Sequence, residues 1–212
     1  MDEDAKQSAF ISALTTEHFV LQAAATSTIS EAAARSSLYV FSLSSALVAL
    51  GFTAQSPGMF MPFVATVLPA LFLLGVFTVI RLVDTALENM QYLAGIARIR
   101  AYYRTLTPDA ATTFAANTGR WPEDRKPPSQ GLGHIVASCG TTAFMIAFVN
   151  SIVAGVIATL GTNALLGRDH LAVALSCGGS AAAVLMATFL AYQRWRFSTI
   201  NLHFGSADIE RQ

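Results

Sequence analysis

The stretch SSLYVFSLSSALVALGFTAQSPGMFMPFVATVLPALFLLGVFTVI, residues 36–80, runs for 45 residues without Asp, Glu, Lys or Arg. A hydrocarbon core of ~30 Å is crossed by about 20 helical residues, so this run is too long for one span. It is interrupted by Gln55-Ser56-Pro57-Gly58, a turn signal. The reading is a transmembrane hairpin, with a first span near Leu38–Ala54 and a second near Phe60–Val83. Two further blank stretches, residues 127–167 and 170–193, predict a third span near Ala137–Leu160 and a fourth near Leu171–Gln193. The polar segment Gly161–His170 is read as the loop between them.

These blanks leave all 26 charges of the 212-residue chain on fewer than half of its residues. Charge makes up 12% of the chain, about half the usual share in soluble domains. A soluble globule, a disordered chain and a nucleic-acid binder acting through net basic charge are all excluded by this pattern. The expected fold is all-α, a four-span transmembrane protein with long cytoplasmic helical extensions of the first two spans. No leader is expected, because the chain opens Met-Asp-Glu-Asp where a signal peptide is basic.

Orientation follows from the basic residues. Twelve of 13 fall on the side of the amino terminus, of residues 81–126 and of the tail, with Arg168 alone opposite. The positive-inside rule then makes both termini cytoplasmic. The organisation read from this is a cytoplasmic amino-terminal helix (1–36), a first transmembrane hairpin (37–84) and a cytoplasmic helical extension (85–106). A connector (107–136), a second hairpin (137–193) and a cytoplasmic tail (194–212) follow. The abundance of alanine, with 36 copies, and of Arg over Lys, 11 against 2, resembles proteins from high-GC bacteria, and the expected location is a bacterial inner membrane.

Between Ala5 and Arg35 there is neither Gly nor Pro, and a helical stripe runs through Ile11, Leu14, His18, Leu21, Ala25, Thr28 and Ala32. A matching stripe after the second span takes in Val83, Leu87, Met90, Ala94, Ala97 and Ala101. The two are expected to pack antiparallel, either within one chain or at a subunit interface. The second span and its extension read as one helix of about 45 residues, which Pro69 should kink. Thr107-Pro108, Trp121-Pro122 and Lys126-Pro127-Pro128 mark the connector, with a short helix near Asp109–Asn117.

The spans hold no acidic residue, Lys or His in their central parts, which argues against a proton relay or an intramembrane metal enzyme. Asn150 is the strongest polar residue inside a span, and Arg81 lies at the end of the second. Each is a candidate for lining a pore or for tying helices together. Small residues recur every fourth position at Ala143, Ala147, Ser151, Gly155 and Thr159, and again at Gly179, Ala183, Ala187 and Ala191. Such ladders allow close backbone approach, either between these two spans or between subunits. Cys139 and Cys177 read as small packing residues. The four histidines, His18, His134, His170 and His203, share no ligand spacing, and no HExxH, Walker, GxSxG or CxxC motif occurs. No catalytic residue, metal or cofactor is therefore expected.

The layout of residues 5–106, a helix entering a tight hairpin followed by a long returning helix, resembles the SLATT group of small bacterial membrane effectors. That resemblance implies pore formation in nucleotide-linked defence; the second hairpin, residues 137–193, is an addition to the two-span pattern. The segment Thr16-Glu17-His18-Phe19-Val20-Leu21-Gln22 is similar to small integral membrane proteins of actinobacterial type. The functional expectation is an oligomeric membrane protein that forms or regulates a pore under cytoplasmic control. The alternative is a non-conducting adaptor that docks a cytoplasmic protein. The expected partners are the lipid bilayer, further copies of the chain and a cytoplasmic protein, but no nucleic acid.

Overall fold

A computed structural model of the chain describes residues 2–114 and 139–209. Among these residues there is no strand, and the helices are α1 (Glu3–Thr53), α2 (Pro57–Tyr103), α3 (Pro108–Thr113), α4 (Thr142–Leu166) and α5 (Leu171–Ile209). Four of them, all but α3, are long and apolar enough to cross a bilayer. This is an all-helical, multi-pass membrane protein.

α1 has 51 residues and α2 has 47. At 1.5 Å per residue each is about 70–75 Å long, more than twice a membrane span. An Ala-rich segment without Gly or Pro before Gly51 lets α1 continue from end to end. Its stop is local: Ala54 N–H still reaches the Leu50 carbonyl, then Ser56 N–H bonds the Thr53 carbonyl at 2.9 Å. Pro57 occupies the first position of α2, where its missing donor costs nothing. Pro69 withdraws one donor from the interior of α2, yet the helix runs unbroken to Tyr103.

The chain divides into two compact units. One comprises Met1–Ala32 with Asp84–Ser138 and holds 17 of the 26 charges, and it is termed the charged unit. The other comprises Ala33–Val83 with Cys139–Gln212 and is termed the apolar unit.

In the charged unit α1 and α2 pack antiparallel. Phe10 meets Tyr102 edge-on at 5.4 Å, Leu21 covers Gly95, and the Thr28 hydroxyl lies 3.3 Å from Asn89 Oδ1. Every residue of the expected α1 stripe, from Ile11 to Ala32, is buried or half-buried. The α2 seam is broader than its alanines: Ile96, fully buried, and Ile99 supply its bulk. The short helix is tighter than Asp109–Asn117. Thr107 caps it by accepting from Ala110 N–H at 3.1 Å, Pro108 starts it, and it ends at Thr113. Residues 115–138, with Trp121, Lys126 and His134, lie outside the described residues, as do the last three residues of the tail.

In the apolar unit Ala46 of α1 joins Val64, Leu68 and Leu71 of α2, flanked by Leu43, Leu50, Ile157 and Leu160. α4 begins at Thr142 with Thr141 as its cap and continues to Leu166, six residues beyond the expected end of the third span. The composition of Gly161, Thr162 and Asn163 suggests a loop, but none of them obliges a helix to stop. Gly167 does so, with φ of 83°, a left-handed conformation that suits glycine. A single 3₁₀ turn, Arg168–His170, then leads into α5.

Candidate functional site

Three features of the structure have the chemistry to carry function, and each is built from a different kind of residue. The first is a polar junction within the apolar unit. Asn150 on α4 is 3% exposed and Tyr39 on α1 is fully buried. The Tyr39 hydroxyl donates to Asn150 Oδ1 at 3.4 Å. Gly75 on α2 faces the same amide, and a Cβ placed there would overlap it. In a hydrocarbon setting neither group has water to bond, so each must find a protein partner. Ser151 and Thr78 are also buried, but their hydroxyls turn back to the Ala147 and Leu74 carbonyls of their own helices. Asn150 thus sits where three helices converge. Tyr39, near the start of the first span, is its partner.

The second feature is the pair of small-residue ladders, which the structure separates. On α4, Ala143, Ala147, Ser151 and Gly155 are buried and Thr159 is half-buried. A Cβ on Gly155 would lie 2.9 Å from the Gly178 carbonyl oxygen and 3.2 Å from Ala182 Cβ. On α5 the ladder residues Gly179, Ala183, Ala187 and Ala191 are all exposed. The α5 face that meets α4 is shifted by one residue and consists of Ala174, Gly178, Phe189 and their neighbours. Gly178 is the tight position: a Cβ there would overlap Thr159 Oγ1, whereas a Cβ on Gly179 meets nothing within 4 Å. The two glycines are indistinguishable by composition, and nothing in the local sequence says which one turns inward.

α1 presents Leu38, Phe41, Leu47, Val48 and Phe52, all more than half exposed. α5 presents a stripe of small residues, Ser176, Gly179, Ser180, Ala183 and Ala187, beside exposed Val173, Leu175, Val184 and Leu190. Arg81 at the end of the second span is half-buried and engaged in a polar interaction. Cys139 and Cys177 are free thiols on exposed positions.

The third feature is a shallow groove on the charged unit, of about 370 Å³, lined by Ile11, Thr15, His18, Phe19, Tyr103, Leu106 and Phe114. It is almost wholly apolar. His18 borders it with Nδ1 buried and without a hydrogen-bond partner among the described residues. Phe19 is 64% exposed at its rim. The stripe containing Ile11 and His18 was legible in the sequence, whereas the contribution of Tyr103, Leu106 and Phe114 required the fold.

Among the described residues no group of three His, Cys, Asp or Glu could hold a metal ion. Compared with known proteins, the chain matches no family model, no curated protein and no solved structure.

Proposed function

We propose that this chain is a homo-oligomeric membrane protein that forms or regulates a pore in a bacterial inner membrane, with the charged unit and both termini in the cytoplasm. The observation that carries the reading is the outward face of α5. One stripe of it, Ser176, Gly179, Ser180, Ala183 and Ala187, permits close helix approach and tolerates water, beside exposed Val173, Leu175, Val184 and Leu190 that suit lipid tails as the bulky residues of α1 do. Tyr39, Asn150, Thr78 and Ser151 are buried in helix contacts of the protomer, whereas Ser44 and Ser45 of α1 and Ser176 and Ser180 of α5 are exposed. A polar path is therefore better placed between protomers, bounded by α5, than through one protomer. The cytoplasmic placement rests on the basic residues, which crowd to one side of the spans. No cofactor, catalytic residue or nucleic acid enters this reading.

The test is oligomeric state in mild detergent combined with flux from liposomes. Rings of five or more subunits together with ion or dye flux support the pore. A monomer or dimer that leaves liposomes tight overturns it. Cysteines placed at Arg168 and Gln130, in a chain with Cys139 and Cys177 replaced, should label from opposite sides of the membrane. Labelling of both from one side overturns the topology.

The adaptor reading is favoured by one observation, the apolar groove beside His18. An exposed apolar surface of this kind on a charged unit is a feature of protein-binding sites. Tight liposomes, together with cytoplasmic capture lost on Phe19→Asp, would make it the better account.

A further inference from the structure

α1 is the span least enclosed by its neighbours. Of its most apolar window 11% is buried, against 33% for α2 and 39% for α4. Within the apolar unit its inward face consists of Tyr39, Ala46 and the flanking Leu43 and Leu50. In a bilayer, lipid tails replace leucine and alanine contacts at little cost, because both surroundings are equally apolar. They cannot replace a hydrogen bond. The Tyr39 hydroxyl, bonded to another helix, therefore has a strong preference for the packed state over lipid.

The receiving surface is equally particular. Gly75 leaves the Asn150 amide the room that any side chain would take, and the amide oxygen lies toward Tyr39. A rotation of α1 by one residue, about 100°, carries the hydroxyl off the amide. The bulky outward face of α1, with Phe41, Leu47, Val48 and Phe52, is stable against lipid before and after such a movement.

We infer that Tyr39, Asn150 and Gly75 form a latch that holds α1 against α2 and α4, and that its release frees α1 to move within the membrane. This rests on the pore reading only for its consequence, since a freed α1 is the element that would change the path between protomers. The latch itself is a property of the apolar unit and is measurable without flux.

The experiment uses the full chain in liposomes, with Cys139 and Cys177 replaced by serine and new cysteines at Ala46 and Leu68, which share one packed cluster. The rate of disulfide formation between them reports how firmly α1 is held. Tyr39→Phe and Asn150→Val should each slow it measurably, by up to about threefold, the limit set by an average interhelical hydrogen bond in a bilayer. The double variant should be no slower than the slower single. Gly75→Ala, which displaces the amide, should act in the same direction. Thr78→Val removes a buried hydroxyl bonded within its own helix and should leave the rate unchanged. Tyr39→Phe keeps the ring and its packing, so it decides the matter if Asn150→Val or Gly75→Ala does not assemble. Unchanged rates in Tyr39→Phe overturn the latch, whether or not the liposomes conduct. Slowed rates in variants whose liposomes all stay tight leave the latch standing and overturn the pore. Slowed rates with faster dye release support both.

Discussion

The charged and apolar units are made from the same two helices, α1 and α2, yet they are held together by different physics. In the charged unit α1 and α2 bury Ile96, Leu87 and Ile99 and close an aromatic edge contact between Phe10 and Tyr102. Their outer surfaces carry exposed charges such as Glu3, Glu17 and Arg98, so a charged side and an apolar side define each helix. In the apolar unit the central parts of the spans carry no charge on any face. Cohesion there comes from close backbone approach at Gly155 and Gly178 and from the polar junction at Asn150. One continuous helix thus needs a hydrophobic stripe in one unit and small or polar contact points in the other.

The largest expected effect tests the backbone approach. Gly178→Leu should destabilise α4–α5 packing by about 3 kcal/mol or more, since its side chain overlaps Thr159 and the Gly155 carbonyl. Thermal melting followed by size-exclusion chromatography in detergent would show it. Gly179→Leu, one residue away, should leave protomer melting unchanged. Equal losses from both would mean that α5 presents a different face to α4.

Next in size is truncation in the charged unit. Ile96→Ala should cost about 2–4 kcal/mol, as expected for a fully buried side chain in a water-facing core. Leu71→Ala in the apolar unit should cost less, because its unpacked alternative is lipid rather than water. Chemical denaturation in a fixed detergent would rank the two, and the reverse order would contradict the assignment of the units to water and membrane.

A smaller effect belongs to Thr28→Val, which removes a buried hydroxyl 2.8 Å from the Ala25 carbonyl and 3.3 Å from Asn89 Oδ1. A loss of about 1 kcal/mol is expected, the usual net value of one hydrogen bond. Smallest of all, Lys6→Ala should leave melting unchanged. Its pairing with Glu3 at 3.2 Å joins two largely exposed side chains three residues apart.

Legibility in the sequence follows the same division. The α1 stripe from Ile11 to Ala32 was readable because polar residues alternate with apolar ones at a helical period, and water enforces that pattern. Along α5 the signal fails. Gly178, Gly179, Ala182 and Ala183 present two overlapping small ladders, and polarity cannot choose between them when lipid and protein interior are alike. Asn150 stood out as a lone amide in an apolar run. Its partner Tyr39 did not, because 111 residues separate them and a tyrosine near a span end has an ordinary role as an interfacial anchor. The helical continuation past Gly161 to Leu166 was missed for a related reason. Polar residues near a span end resemble a loop in composition, while the backbone stops only at Gly167.

The sequence by itself determined the class of the protein: four apolar helices, two of them continued far beyond a span, joined by turns at Pro57 and near Arg168. Hydropathy and charge are sums over neighbouring residues, so a run without charge declares a span wherever it occurs. Tertiary structure alone decided which glycine of α5 turns inward, which side chain satisfies Asn150, and that Gly75 makes room for it. Those choices depend on shape complementarity between distant segments, and in a uniformly apolar environment only contact between helices distinguishes one face from another.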